Sequence, residues 1–274
     1  MSTLEAIVLG IVQGLTEFLP ISSSGHLLIV PALAGWDDPG AAFTAVVQLG
    51  TMAAVLVYFR TDLWRMALAF AASLTGERPL WRTADADGRT GWLLVLGTIP
   101  ISVVGLAFAD QIETSVRALE LVATVLILFS AVMWAADRYG SRTRAIRELS
   151  VRDGIVIGLF QTLALIPGVS RSGSTISGGL LLGLDREAAT RYSFLLSVPA
   201  VVLSGLFQLK DIGGEGAVGF APTALATVFA FISGYAAIAF LLRYVRSHNF
   251  DVFVAYRVIV GVLVLVLAVG GVIE

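Results

Sequence analysis

The chain has 274 residues, of which 57% are hydrophobic and 14% are charged, and its formal net charge is -2. This composition lies far outside that of soluble globular proteins and predicts an all-α polytopic membrane protein. The charge balance argues against a nucleic-acid partner, because no basic surface is available to neutralise phosphate backbones. The absence of cysteine excludes disulfides, thiolate metal sites and cysteine nucleophiles.

The first element in chain order is a short apolar segment that is broken before it could cross a bilayer. Residues 4–19 are too few to span comfortably, and Pro20 with the Ser/Gly cluster at 22–25 interrupts the helix. A second short apolar piece follows at 26–35. This pattern predicts a re-entrant helix–loop–helix element, which enters the membrane and returns on the same side. Because no basic residue precedes Arg60, we expect no cleaved signal peptide.

Six further apolar runs are near the length, about 20 residues, that a bilayer core requires. They cover residues 41–59, 92–109, 118–136, 192–209, 223–242 and 252–273. Between the third and the fourth run, residues 151–184 repeat the short–break–short plan of the N-terminal element. The polar segment 74–90 is predicted to be an exposed loop with no catalytic role, and 138–150 a basic connector between the halves.

The two broken segments are related in sequence. Residues 9–25 (LGIVQGLTEFLPISSSG) align without a gap on residues 157–173 (IGLFQTLALIPGVSRSG), and six positions are identical. Matched interrupted segments in two halves of a membrane protein indicate an inverted repeat with a binding site between them. We therefore predict one integral membrane domain, 1–274, whose repeats cover about 1–137 and 151–273.

The placement of basic residues predicts the topology. With six transmembrane helices and two re-entrant elements, fourteen arginines fall on one side of the membrane and only Arg117 and Lys210 on the other. By the positive-inside rule the arginine-rich side is cytoplasmic, which places both termini on the periplasmic or outer side. Each half contributes three spans, an odd number, so the second half is inverted relative to the first.

The second loop carries an arginine within an apolar segment. Arg171 at membrane depth costs roughly 2.5–3.5 kcal/mol and therefore requires an anionic partner. Hydroxyl side chains and glycines surround it and a short helix follows, a combination of donors that is typical of a phosphate site. The candidate phosphate-binding residues of this loop are Ser170, Arg171, Ser172, Gly173 and Thr175. The alternative interpretation is Ser/Gly packing between helices, with Arg171 paired to a structural carboxylate.

The first loop supplies a carboxylate where the second supplies the arginine. Glu17 lies four residues after Gln13 and hence on the same helix face. Its carboxylate could act as a general base, or bind a divalent cation. The neighbouring hydroxyls are candidate nucleophiles, phosphate donors or helix caps, and a histidine suited to proton transfer follows. The candidates are Glu17, Ser23, His26 and Arg171 for catalysis, Ser22 and Ser24 for phosphate binding, and Glu17 with Gln13 for a metal ion.

Other polar residues within the apolar runs have structural interpretations. Glu120 and Arg257 lie toward the ends of their spans, and we expect both side chains to snorkel to the interface. Gln48, Gln161 and Gln208 are expected to make structural hydrogen bonds.

Two segments, QGLTEFLPISSSGH (13–26) and PGVSRSGSTISGG (167–179), resemble the signature regions of the bacterial undecaprenyl-pyrophosphate phosphatase family, also called the bacitracin-resistance (BacA) family. The resemblance implies hydrolysis of undecaprenyl pyrophosphate, a polyprenyl pyrophosphate lipid, to the monophosphate carrier lipid of cell-wall synthesis, and with it bacitracin resistance. It also implies a multi-pass protein of the bacterial inner membrane, a site that opens toward the periplasmic or outer face, and dependence on Mg²⁺ or Ca²⁺.

The family's functional positions can be carried over onto this chain. The acidic signature residue falls on Glu17, its Glu-or-Gln partner on Gln13, the histidine on His26, the proposed nucleophile on Ser23, and the phosphate-contacting positions on Ser170, Arg171 and Thr175. Members with glutamate at the first of these positions have a carboxylate pair. Because this chain has Gln13 there, a metal ion would depend on Glu17, substrate oxygens and water.

Two functions of different class are open at this point. As an enzyme, the protein would bind the pyrophosphate between the loops and use Arg171 to stabilise charge, while Glu17 activates either Ser23 or a water molecule. His26 would donate a proton or act as the nucleophile itself. As a transporter or flippase, the protein would bind a phosphate-bearing lipid or anion without bond cleavage. This alternative is open because many transporters are built from inverted repeats. Membrane lipids surround the protein in either case, and a homodimer is left open.

Overall fold

The computed structural model describes residues 1–74, 86–108, 118–208 and 219–273. Within these ranges the chain is helical, with two short 3₁₀ turns and no β-strand. The eleven α-helices of the described ranges are α1 (Thr3–Phe18), α2 (Ser23–Ala34), α3 (Gly40–Tyr58), α4 (Arg60–Leu74), α5 (Ala86–Ala107), α6 (Leu119–Tyr139), α7 (Val151–Thr162), α8 (Arg171–Leu181), α9 (Arg186–Gln208), α10 (Phe220–Tyr244) and α11 (Asp251–Val269). The prediction of an all-α protein is confirmed.

Four helices, α5, α6, α10 and α11, are individually long and apolar enough to cross a membrane. They correspond to four of the six predicted runs, which confirms a polytopic membrane protein. The run 41–59 forms α3, which qualifies only together with α4, and the two helices are bent by 78° at their junction. The run 192–209 forms most of α9, which is not among the candidate spans found within the described residues. The described helices therefore provide four spans, or five with the bent pair, where six were predicted.

Parts of the sequence predictions lie outside the described residues. These are positions 75–85 of the polar segment, the last residues of the runs that end at 109 and 209, the side chain of Gln208, and the basic residues Arg78, Arg82, Arg117 and Lys210. The exposed loop predicted at 74–90 is wrong at its C-terminal end, where 86–90 form the first turns of α5. The reason is packing on α4: Arg65 pairs with Asp87 at 3.4 Å, and Trp92 Nε1 donates to Ser73 Oγ at 2.9 Å.

The first of the two predicted re-entrant elements folds as α1 and α2, with a break at residues 19–22. α1 packs on α10 so closely that a Cβ at Gly10 or Gly14 would overlap the backbone of that helix. At the break, Ser22 has a positive φ of 78°, and its Oγ accepts a hydrogen bond from the Gly25 amide at 3.3 Å. Because positive φ is uncommon for a non-glycine residue, this conformation is a specific feature of the loop.

The second re-entrant element, α7 and α8, breaks in the same way. Ser170 has a φ of 77°, and its Oγ accepts from the Gly173 amide at 3.1 Å. Ser170 aligns with Ser22 and Gly173 with Gly25, so both loops have the same backbone turn and the same cap on the following helix. The matched geometry supports the sequence alignment, whereas the inversion of the two halves stays a prediction.

The basic connector at 138–150 is fastened to the second re-entrant element through Arg144. The Arg144 guanidinium donates to the Leu182 and Glu148 carbonyl oxygens at 2.8 and 2.7 Å and to Asp153 Oδ2 at 2.6 Å. The hydrogen bond to Asp153 raises the pKa of Arg144, so the pair stays ionised at neutral pH. These contacts tie the segment to the helices on either side of the second loop, while the single-domain organisation stays a prediction.

The largest apolar cluster lies beside the first loop. Phe18, the last residue of α1, is buried and packs edge-on against Phe194 of α9, with ring centroids 5.3 Å apart. Phe59 and Leu241 belong to the same cluster. Because Glu17 directly precedes Phe18, its carboxylate is held at the margin of this apolar core.

Candidate active site

Glu17 and Arg171 form an ion pair between the two re-entrant loops. Arg171 Nη2 donates to Glu17 Oε1 at 2.6 Å, and the two side chains are only 15% and 5% exposed. Glu17 lies in the last turn of α1, and Arg171 begins α8. The two loops therefore meet, as the repeat predicted, and they bring together two opposite charges that are 154 positions apart.

The second carboxylate oxygen of Glu17 contacts two further candidate residues. Glu17 Oε2 accepts from Ser23 Oγ at 2.7 Å and from Gln13 Nε2 at 3.0 Å. Gln48 Nε2 lies 3.5 Å from Glu17 Oε1, so this residue, for which we predicted a structural role, also faces the site. A hydroxyl that donates to a carboxylate is the arrangement of a nucleophile beside its base.

Two buried polar atoms of the site have no hydrogen-bond partner within the described residues. Among the described residues, the buried side-chain atoms without a hydrogen-bond partner are Gln13 Oε1, Gln161 Oε1 and Arg171 Nη1. Such an atom costs about 1–3 kcal/mol when it stays unsatisfied. Arg171 Nη1 is a charged donor suited to a phosphate oxygen, and Gln13 Oε1 is a neutral acceptor suited to a cation. Because the Gln13 amide nitrogen must face the Glu17 carboxylate, the amide oxygen has to point away from it.

The hydroxyl groups around Arg171 are engaged in holding the loop. Ser172 Oγ donates to the Leu19 carbonyl oxygen of the first loop at 3.1 Å, which joins the two loops directly. Thr175 Oγ1 donates to the Arg171 carbonyl oxygen at 2.8 Å and lies 2.6 Å from Ser193 Oγ. Ser24 is exposed and contacts Ser22 Oγ at 3.3 Å. The structure therefore gives these side chains positioning contacts, while Arg171 is the candidate with a free donor.

His26 lies in the first turn of α2 and faces α11. Its Nδ1 lies 2.7 Å from the Ser22 carbonyl oxygen and its Nε2 lies 2.9 Å from the Tyr256 hydroxyl, on which the ring also stacks. Because Nδ1 faces a carbonyl oxygen it carries the proton in the neutral ring, and Nε2 then accepts from Tyr256. Tyr256 was not a sequence candidate, since a lone tyrosine in an apolar helix indicates only packing.

The prediction that Arg257 snorkels to the interface is wrong. Its side chain is completely buried, and it donates to the Pro20 and Gly168 carbonyl oxygens at 3.2 and 2.8 Å. The residue was misjudged because it lies near the start of α11, and the sequence does not show that both loops reach this level. By contrast, Glu120 is exposed in the first turn of α6, and Gln161 donates to the Gly97 carbonyl oxygen at 3.3 Å, as expected.

The oxygen ligands available to a cation are few. Among the residues that the structure describes, no group of three or more histidine and acidic side chains could hold a metal ion. Gln13 Oε1 points away from the Glu17 carboxylate, so a cation bound by either oxygen would need substrate oxygens and water as its remaining ligands.

A cavity of about 540 Å³ lies elsewhere, among the ends of α2, α6 and α11. Its walls include Pro31, Trp36 and Leu119, and no residue of either signature segment lines it. The candidate site is therefore assigned from the polar contacts of Glu17 and Arg171 rather than from the shape of a cavity.

The fold and the site define a polytopic membrane protein with a charged pair held between two loops that each join two short helices. Residues 6–263 match the model of the family described as bacitracin resistance protein BacA, and the chain belongs to this family. It is 55% identical over 284 residues to undecaprenyl-diphosphatase 2 of Frankia casuarinae, an alignment that covers 99% of this chain and 96% of the relative. It is 54% identical to the undecaprenyl-diphosphatase of Nocardioides sp., with 98% of each chain covered. It is 53% identical to that of Thermobifida fusca, with 99% of this chain and 92% of the relative covered.

Proposed function

We propose that this protein is an undecaprenyl-diphosphatase. It hydrolyses undecaprenyl pyrophosphate to undecaprenyl phosphate and inorganic phosphate, which recycles the carrier lipid of cell-wall synthesis and confers bacitracin resistance. Family membership and three relatives with this name support the activity. The observation that carries it in this structure is the buried Arg171–Glu17 pair with its unpaired Arg171 Nη1 donor. Phosphate release by the purified wild-type protein tests it.

Substrate binding follows from the charges of the two loops. The polyprenyl tail lies among the apolar helices, and the pyrophosphate lies against Arg171, whose Nη1 donates to a phosphate oxygen. The first turns of α2 and α8 start at the two loops, and helix N-termini favour negative charge. In phosphoryl transfer most of the catalysis comes from such positioning and charge stabilisation.

Glu17 activates the attacking oxygen. As the attacking oxygen bonds to the terminal phosphorus, its proton passes to Glu17, and the bond from that phosphorus to the bridging oxygen breaks. The attacking oxygen belongs either to Ser23, which gives a phosphoserine that water then hydrolyses, or directly to water. The leaving group is undecaprenyl phosphate, which is stable as an anion and needs no proton. We therefore assign His26 the role of holding the Ser22 turn rather than that of proton donor.

Replacing Ser23 with alanine is expected to lower phosphate release at least about 100-fold, because the variant loses the hydroxyl beside the Glu17 base. The measurement is phosphate release by purified protein. Ser102→Ala is the matched control, since Ser102 Oγ donates only to the Thr98 carbonyl oxygen of its own helix, at 3.0 Å. Trapping of labelled phosphate on Ser23 would establish the covalent route, and full activity of Ser23→Ala would exclude it.

We also propose a divalent cation, Mg²⁺ or Ca²⁺, held by Glu17, Gln13 Oε1, substrate oxygens and water. When bound, it neutralises charge on the pyrophosphate.

Replacing Gln13 with glutamate would add a second carboxylate, and we expect the Mg²⁺ concentration for half-maximal activity to fall about tenfold as ligand charge rises. A Mg²⁺ titration of phosphate release measures this. Gln161→Glu adds the same charge at the equivalent position of the other half and should not shift the titration. An unshifted titration in Gln13→Glu would remove Gln13 from the cation site.

A transporter or flippase for a phosphate-bearing lipid is the alternative that the matched broken helices support. The same assay separates the two functions, because a transporter would release no phosphate from any polyprenyl pyrophosphate.

For the location of the protein, we propose the bacterial cell membrane with both termini on the outer side, as the arginine distribution predicts. A homodimer, which the sequence leaves open, stays a prediction.

A further inference from the structure

Arg257 of α11 makes contacts that the proposed chemistry does not use. The side chain is among the largest that are fully buried, so it cannot touch the substrate from its present position. All three of its nitrogens donate: Nε to Ser130 Oγ at 3.3 Å, Nη1 to the Pro20 carbonyl oxygen at 3.2 Å, and Nη2 to the Gly168 carbonyl oxygen at 2.8 Å. One guanidinium thus joins α6, the first loop and the second loop.

The two loop carbonyls are equivalent positions of the repeat. In the gapless alignment of 9–25 on 157–173, Pro20 falls on Gly168. Each precedes by two residues the serine with positive φ that caps the second helix of its element. The planar fork of an arginine offers two parallel donors at a fixed separation, which an ammonium group cannot do. Arg257 therefore links the two turns through donors on one rigid group.

The two turns are also the anchors of the charged pair. Glu17 lies three residues before Pro20, and Arg171 lies three residues after Gly168. A change in the separation of the turns would move the carboxylate and the guanidinium relative to each other. Misplacement of reacting groups by about 1 Å can cost about 100-fold in rate.

The charge of Arg257 has no acidic partner within the described residues. Its acceptors are neutral, and its guanidinium carbon lies 5.7 Å from the centroid of the Phe129 ring. An unpaired buried charge is costly, so a side chain kept for packing alone would be better replaced by an apolar one. The hydrogen bonds that Arg257 donates to both loops explain why a charged side chain is kept at this position in spite of its cost.

We propose that Arg257 is a positioning residue for the hydrolysis: its guanidinium bridges the Pro20 and Gly168 carbonyls and thereby holds Glu17 and Arg171 at their working separation. The proposal rests on the proposed function for its effect on rate. The bridge itself is a feature of the fold and can be tested without turnover.

The test uses two substitutions that both break the bridge. Arg257→Lys keeps the charge but cannot donate to both carbonyls in the same geometry, and Arg257→Gln removes the charge and keeps one amide donor. We expect kcat per folded molecule to fall about 100-fold in both variants while KM changes less than about threefold. Arg243→Lys, at an exposed position in the last turn of α10, is the control and should match the wild type. Because Arg257→Gln removes a buried unpaired charge, it provides a folded variant even if Arg257→Lys is unstable.

A purely structural role predicts a different result: a lower Tm and less folded protein, but an unchanged kcat for the molecules that remain folded. That result would overturn the proposal. Loss of kcat in Arg257→Gln alone would also overturn it, because the charge of Arg257 rather than its bridge between the loops would then be responsible. Hydrogen exchange supplies the readout that does not need turnover. Amides of 13–26 and of 167–179 should exchange faster together in both variants, and protection unchanged in either segment would contradict the bridge. If the wild type releases no phosphate, the proposed function fails while the exchange experiment still decides on Arg257.

Discussion

Replacement of Arg171 with alanine is expected to lower phosphate release from undecaprenyl pyrophosphate by at least about 1,000-fold, the effect typical of an arginine that stabilises phosphoryl-transfer charge. The variant loses the unpaired Nη1 donor and leaves the Glu17 carboxylate without its cation. Both changes disfavour the build-up of negative charge at the site. The measurement is steady-state phosphate release by purified, monodisperse protein.

Two further arginine variants test whether the loss of rate is specific to the guanidinium of Arg171. Arg171→Lys keeps a positive charge but loses the planar fork, so it should retain only a small fraction of the wild-type rate. Arg243→Ala removes an exposed arginine from α10 and should leave the rate unchanged. If Arg171→Ala stays within about tenfold of the wild type, well short of the loss typical of such an arginine, this residue does not stabilise the reacting phosphate.

Replacement of Glu17 with glutamine is expected to cost at least about 1,000-fold in rate, because loss of a general base and of the cation ligand act together. Glutamine has the same shape, and its amide oxygen can still accept from Arg171, so the protein should fold. The amide cannot take the proton of Ser23 or of water. Rate and Tm are measured on the same preparation, and the Tm should change far less than the rate.

The control for Glu17 is an acidic residue in an exposed ion pair. Glu187 accepts from Arg246 at 2.7 Å, with side chains 41% and 65% exposed, and exposed pairs contribute at most about 1 kcal/mol. Glu187→Gln should therefore leave both rate and Tm nearly unchanged. A Glu17→Gln protein that is folded and fully active would eliminate the carboxylate from the mechanism.

The features that the sequence predicted well are those repeated within it. The gapless alignment placed Ser22 opposite Ser170, and the two residues have φ values of 78° and 77°. The same alignment predicted that the loops meet, and the Arg171–Glu17 pair lies at their junction. Local polar and glycine patterns determine where a helix breaks, so these features can be read from short segments.

The features that the sequence did not predict depend on long-range packing. Tyr256 contacts His26, which is 230 positions away. Arg257 contacts Pro20 and Gly168, which are 237 and 89 positions away. Nothing in the local sequence of α11 shows that two loops end at its level. The bend between α3 and α4 was missed for a related reason, because a hydropathy window records apolar content but not helix direction.

The measurement that most directly tests the central claim is phosphate release by the double variant Glu17→Leu with Arg171→Met. If the pair only stabilises the fold, apolar residues of similar volume should replace it, since such replacements are often neutral or stabilising by about 1–4 kcal/mol. We expect a folded protein with a Tm at or above that of the wild type and no detectable phosphate release. A double variant that still hydrolyses undecaprenyl pyrophosphate at a rate near that of the wild type would contradict the claim that these two charges carry out the reaction.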